Sequence, residues 1–134
     1  MDDLVLLKVR LAVLWLFSEV SFIGIMLLTF LKPGIVQDVI SGNLQGVAIS
    51  QELLTGYAFI VLLGLVMAFV SVTVRDSINR GANIVMGIVG IILSFLGLSE
   101  QFTNPYAYAV IIWIAHILVD ASIVWYAYNW PKKP

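Results

Sequence analysis

Four apolar runs, each about as long as a bilayer is thick, dominate the sequence. They cover residues 11–31, 53–74, 82–98 and 106–128. As helices, runs of about 20 residues cross the ~30 Å hydrocarbon core. Because a segment in lipid has to satisfy its own backbone hydrogen bonds, the runs predict four transmembrane helices. We therefore expect an all-α, four-helix transmembrane bundle that forms a single domain over residues 1–134.

Composition agrees with this class of protein and excludes others. The chain is 61% hydrophobic and 11% charged, against about 25% charged residues in soluble domains. Its net charge of −1 and the lack of a basic cluster give no support for a nucleic-acid partner. The sequence contains no cysteine, which excludes disulfides and thiolate metal sites. The predicted partner is the lipid bilayer.

The basic residues predict the orientation of the chain. With four spans, one side of the membrane carries Lys32 alone, and the other carries Lys8, Arg10, Arg75, Arg80, Lys132 and Lys133. Cytoplasmic loops are enriched in lysine and arginine. We expect a multi-pass protein of the cell (cytoplasmic) membrane with both termini in the cytoplasm.

The connection at residues 33–52 is the longest one between the runs. Ile35, Val36, Val39 and Ile40 share one side of a helical turn, which indicates a short interfacial helix at the membrane surface. A partly packed loop is the alternative interpretation. Farther along, Asn104-Pro105 favours the start of the last helix.

A seam of small and polar residues follows the third run. Its members recur every three or four residues: Arg80, Asn83, Gly87, Gly90, Ser94, Gly97 and Gln101. Small residues let helix backbones approach in lipid, and asparagine and serine bond across the gap. We predict that Asn83, Gly87, Gly90, Ser94 and Gly97 pack against another helix, with the third helix at the centre of the bundle. A homodimer through this seam is the competing interpretation.

Three ionisable residues lie inside the apolar runs: Glu19, His116 and Asp120. His116 and Asp120 are four residues apart, so they share a helix face. Glu19 lies about 13 Å from the cytoplasmic boundary and Asp120 about 15 Å, at 1.5 Å per residue. Ionisable groups at this depth avoid lipid and mark functional sites. The equal depth predicts that the three groups meet inside the bundle.

Trp15 and Trp113 precede these groups by one helical turn, on the same faces. Carboxylates beside indole rings suit a small hydrophobic or cationic ligand such as a protonated amine. A proton shared among Glu19, His116 and Asp120 would instead suit proton-coupled transport. The alternative is that the three groups only hold helices together, with His116 paired to Asp120 and Glu19 bonded to a serine or a backbone carbonyl.

Metal and cofactor sites have little support in the sequence. Two carboxylates and one histidine could form a facial triad, but no residues resemble its supporting shell. Haem would need a second axial histidine from another subunit. No nucleophile-base motif or phosphate loop is present, so we predict a non-enzymatic protein without metal or cofactor.

Three short stretches carry a resemblance to a known group: Asn79 to Ile84, Pro33-Gly34 and Ile123 to Trp130. They resemble an uncharacterised family of small four-helix integral membrane proteins, which is broadly similar to the DoxX-like proteins. That likeness implies a quinone-linked redox subunit as an alternative function. The glutamate in the first helix is also similar to that of small multidrug transporters, although their loops are shorter than residues 33–52. A structural or scaffold role is the remaining alternative.

Overall fold

The computed structural model describes residues 3–103 and 105–131. Within this part the helices and strands are α1 (Asp3–Phe30), α2 (Ile35–Ile40), β1 (Asn43–Leu44), β2 (Val47–Ala48), α3 (Gln51–Thr73), α4 (Asp76–Ser99) and α5 (Ala107–Tyr128). A 3-10 turn at Glu100–Phe102 continues α4. Helices α1, α3, α4 and α5 are long and apolar enough to cross a membrane. The predicted all-α fold with four membrane-spanning helices is confirmed.

Two of the long helices begin earlier than the apolar runs. Helix α1 starts at Asp3 rather than residue 11, and α4 starts at Asp76 rather than residue 82. The two early turns are held together by an ion pair of 2.7 Å between Lys8 Nζ and Asp76 Oδ1. Lys8 and Asp76 therefore lie in helical turns that extend α1 and α4 beyond the apolar runs, where they pair with each other.

The long connection contains more structure than the sequence indicated. The short helix is present as α2, with Ile35 buried and Ile40 exposed. A short β-hairpin with two residues in each strand follows, in which Asn43 pairs with Ala48. Its turn uses positive φ angles at Gln45 (52°) and Gly46 (84°), a geometry that suits two-residue hairpin loops. Asn104, Lys132 and Lys133, which supported the predicted turn and orientation, lie outside the described residues.

The four long helices pack unevenly. Helix α1 packs against α3 and α5, and α5 packs extensively against α4, whereas α3 and α4 meet only sparsely. The prediction of a central third helix is wrong, because α4 has one extensive neighbour and not three. Three helix pairs are therefore in close contact: α1 with α3, α1 with α5, and α4 with α5. The contact between α3 and α4 is loose.

The glycines of the α4 seam face α5. A Cβ atom at Gly87 would lie 2.7 Å from Val124 Cγ2, and one at Gly97 would overlap the indole of Trp113. Only glycine allows this close approach of the two helices. From Gly87 to Gly97 the seam is thus covered by α5 of the same chain, whereas Asn83 contacts α1 and α3.

Polar groups join α3 and α4 next to their connecting turn. Asn79 Nδ2 donates to the carbonyl of Ser71 at 2.7 Å, and Asn83 Nδ2 donates to Asn79 Oδ1 at 2.7 Å. Asn83 Oδ1 accepts from Trp15 Nε1 of α1 at 2.7 Å and from Ser71 Oγ at 3.2 Å. We call Trp15, Ser71, Asn79 and Asn83 the asparagine clamp. All four are buried, and their mutual hydrogen bonds make burial tolerable.

Candidate intramembrane binding site

A cavity of about 350 Å³ lies among the four long helices. Its lining includes all the residues that the sequence singled out for ligand or proton binding, which are Trp15, Glu19, Trp113, His116 and Asp120. Glu19 and Trp15 come from α1, and the other three come from α5. The packing of α1 against α5 therefore brings the three ionisable groups to one space.

Glu19 lies against the backbone of α3. A Cβ atom at Gly64 would overlap Oε1 of Glu19, so the carboxyl group occupies the place of a missing side chain. Glu19 is 8% exposed, and its Oε2 atom has no hydrogen-bond partner among the described residues. Gly64 makes room for the carboxyl group but offers it no hydrogen-bond donor.

His116 is held by α1 and by its own helix. Its Nδ1 atom lies 3.3 Å from Ser18 Oγ. The ring of Trp113 lies 5.6 Å from the imidazole between centroids, and Phe22 packs edge-on against that indole at 6.5 Å. His116 is 5% exposed, and Nε2 has no hydrogen-bond partner in the described part of the chain. The second nitrogen is thus buried without a hydrogen bond from the described chain.

Asp120 lies between α5 and α4. Ser94 Oγ donates to Asp120 Oδ2 at 3.1 Å. A Cβ atom at Gly90 would lie 2.8 Å from Asp120 Cγ, so this glycine provides the space for the carboxyl group. Asp120 is 2% exposed, and Oδ1 has no partner among residues 3–103 and 105–131.

The hydrogen-bond partners differ from those of the packing-only alternative. That alternative pairs His116 with Asp120, but these residues bond instead to Ser18 and Ser94, which lie on different helices. Each of the three ionisable groups retains one buried atom without a partner in the described chain. Because an unsatisfied buried polar atom costs about 1–3 kcal/mol, this arrangement is expensive for a site with only a packing role.

Sequence reasoning missed the residues at the other end of the cavity. There the lining includes Lys32, Leu44, Gln45, Glu100 and Gln101, which come from the connections on the Lys32 side of the bundle. The signal available for Lys32 was its place directly after the first apolar run. Nothing in the local sequence of Leu44 or Gln45 indicates a position over a cavity, because that position depends on how the hairpin folds back over the bundle.

Aromatic rings hold Lys32 at this end. Its Nζ atom lies 3.8 Å from the ring centroid of Tyr106 and 5.8 Å from that of Tyr108. A cation over an aromatic face is attracted by the ring quadrupole. Lys32 is thereby held against Tyr106, which precedes α5, and Tyr108 in the first turn of α5.

The charged residues around the cavity are mostly acidic. Among the described lining residues, Glu19, Glu100 and Asp120 are acids and Lys32 is the only lysine or arginine. No group of three His, Asp, Glu or Cys side chains in the described part has a geometry that could hold a metal ion. In the described lining, carboxyl groups therefore outnumber lysine and arginine side chains three to one.

Comparison with known proteins gives a family without an assigned activity. The profile of DUF6326, described as a family of unknown function, matches residues 6–133. No curated protein and no solved structure gives a significant match to the chain. The expected likeness to an uncharacterised family is confirmed, and the comparisons do not extend it to the DoxX-like proteins.

Proposed function

Since the chain belongs to DUF6326, a family of unknown function, we propose from its cavity that this membrane protein binds or transports a small amphipathic or protonatable ligand. The observation that carries the proposal is that three residues of one cavity lining each have a buried atom without a hydrogen-bond partner in the described chain. These atoms are Glu19 Oε2, His116 Nε2 and Asp120 Oδ1. Glu19 and Asp120 hold charge or protons, and His116 pairs with the ligand or relays a proton.

A protonated amine supplies the hydrogen-bond donors that these carboxyl oxygens lack. An ammonium group offers several N–H donors and no acceptor, while Glu19 Oε2 and Asp120 Oδ1 are acceptors without a donor in the described chain. Charge-assisted hydrogen bonds of this kind are stronger than neutral ones. The indoles of Trp15 and Trp113 supply aromatic faces for the rest of an amphipathic cation.

A quinone is the competing ligand, because its ring suits the apolar part of the lining and its carbonyl oxygens could accept hydrogen bonds from His116 or a protonated carboxyl group. This alternative retains the DoxX-like, redox-subunit hypothesis. The absorbance spectrum of the purified protein tests it directly. A bound quinone, flavin or haem in that spectrum would favour the redox subunit over the amine-binding protein.

Binding of tritiated phenethylammonium to the protein in lipid nanodiscs tests the proposal. We expect saturable binding that Glu19→Gln weakens by at least about tenfold, since truncating one partner of a buried charge pair costs 2–5 kcal/mol. Glu52→Gln is the matched control, because Glu52 is exposed and lies outside the cavity lining. Equal affinity in the Glu19→Gln protein and the wild type would overturn the assignment of Glu19.

Uptake into liposomes separates transport from binding. With an inward proton gradient as the driving force, amine flux should be abolished by Glu19→Gln and unchanged by Glu52→Gln. Unchanged flux in Glu19→Gln would rule out Glu19 as the coupling group. A protein that only scaffolds a partner would show neither binding nor flux.

A further inference from the structure

The loose contact between α3 and α4 divides into a closed part and an open part. All the buried residues of α3 lie in its second half, where the helix approaches the asparagine clamp: Gly64, Met67, Ala68 and Ser71. The hydrogen bonds that join α3 to α4 also lie there, between Ser71 and the asparagines Asn79 and Asn83. Toward the other end, no described residue of α3 between Gln51 and Leu63 is buried.

The cavity wall coincides with the outer surface in this open part. Ile60 and Leu63 of α3 line the cavity and are 39% and 40% exposed. Leu93 and Leu96 of α4 also line it and are 43% and 58% exposed. The cavity is therefore bounded in this part by partly exposed apolar side chains of α3 and α4. We call the space between these four residues the α3–α4 gap.

We infer that the α3–α4 gap opens the cavity sideways to the bilayer, and that its ligand is a single-chain amphipath dissolved in the membrane. The polar head reaches Glu19, His116 and Asp120, and the apolar chain leaves between α3 and α4. This inference rests on the proposed function and adds to it the class of ligand and its route of entry.

Two features favour this occupant. The gap is bordered by leucine and isoleucine, so an alkyl chain there exchanges one apolar environment for another, while the head satisfies three buried polar atoms. A second copy of the chain would fill the gap less well. The neighbouring outward residues of α3 and α4, Phe59, Leu62 and Phe95, are apolar and exposed, and they carry no donor for the carboxyl groups.

The test compares two amines that share a head group and differ in the tail. Phenethylammonium fits within the cavity, whereas the chain of dodecylammonium has to leave through the gap. Leu63→Trp/Leu93→Trp narrows the gap, and Leu62→Trp/Phe95→Trp is the matched control, since Leu62 and Phe95 are each 55% exposed and do not line the cavity. Dodecylammonium bound per chain is counted by native mass spectrometry from nanodiscs, and phenethylammonium by radioligand binding.

We expect the gap variant to bind dodecylammonium at least about tenfold more weakly than the control, because the introduced tryptophan side chains clash with an alkyl chain in the gap. Because Leu63 and Leu93 also line the cavity, the readout is the ratio of dodecylammonium to phenethylammonium affinity, which should fall at least about tenfold in the gap variant and keep its wild-type value in the control. An equal ratio in the two variants, including an equal loss of both amines, would overturn the lateral route. Absence of binding of either amine to the wild-type protein would instead overturn the proposed function.

Discussion

The carboxyl group of Glu19 occupies the space that a side chain at Gly64 would fill. This contact places an ionisable group of α1 directly on the backbone of α3. A single absent methyl group thus determines where the carboxyl group of Glu19 lies. The same relationship recurs on α4, where Gly90 makes room for Asp120.

Gly64→Ala should displace Glu19 and weaken binding of phenethylammonium. Overpacking of a close contact costs about 1–3 kcal/mol, so we also expect a lower free energy of unfolding in sodium dodecyl sulfate titrations. Gly56→Ala is the control on the same helix, because a Cβ atom there meets nothing within 4 Å. Equal loss of binding in both variants would show that α3 tolerates no substitution and that the Glu19 contact is not specific.

Gly90→Ala should act on Asp120 in the same way. A Cβ atom at Gly90 would lie 2.8 Å from Oδ2, the atom that accepts the hydrogen bond from Ser94. Gly81→Ala, on the same helix with nothing near its Cβ atom, should stabilise the protein by about 0.5–1 kcal/mol through helix propensity. The free energy of unfolding should therefore fall in Gly90→Ala and rise in Gly81→Ala. A change of the same sign in both variants would contradict this prediction.

The hydrogen bond between Trp15 and Asn83 should appear as a coupling energy. A double-mutant cycle with Trp15→Phe and Asn83→Ala is expected to give about 0.5–1.5 kcal/mol. Trp125→Phe combined with Asn83→Ala provides the control, because Trp125 is 67% exposed, and its coupling should be near zero. A coupling energy between Trp15 and Asn83 that is no larger than that of the control pair would mean that the asparagine clamp stabilises the bundle by packing alone.

The orientation inferred from the basic residues can be tested with single cysteines, since the chain has none of its own. Gln37→Cys and Ser77→Cys place a thiol at exposed positions on opposite ends of the bundle. In intact cells, a membrane-impermeant maleimide should label position 37 and should label position 77 only after the membrane is permeabilised. The reverse pattern would place the termini outside the cytoplasm.

Periodicity and depth were sufficient to predict that Glu19, His116 and Asp120 lie around one space in the bundle. Counting residues from each membrane boundary placed Glu19 and Asp120 at one level, and helical spacing placed His116 on the face of Asp120. Both inferences depend only on the rise and turn of a helix, which vary little from protein to protein. The cavity that these residues share follows from that regularity together with the packing of α1 against α5.

Other features could not be obtained from local sequence. The small-residue seam of α4 predicted close packing but did not identify the partner helix, because any helix with a complementary surface shape can pack against such a seam. The contact between Glu19 and Gly64 depends on the rotation of α1 relative to α3. The hairpin that brings Gln45 to the cavity depends on two consecutive positive φ angles, and a glutamine is an uncommon residue to adopt one.

The asparagine clamp joins α3 to α4 at one end only. A change in the width of the α3–α4 gap is therefore a tilt of α3 relative to α4 about the asparagine clamp. Ile60 lies 11 residues, or about 16 Å, along α3 from Ser71, so a tilt of about 5° would widen the gap there by about 1.4 Å. The widening grows with distance from the clamp and is greatest at the Gln51 end of α3.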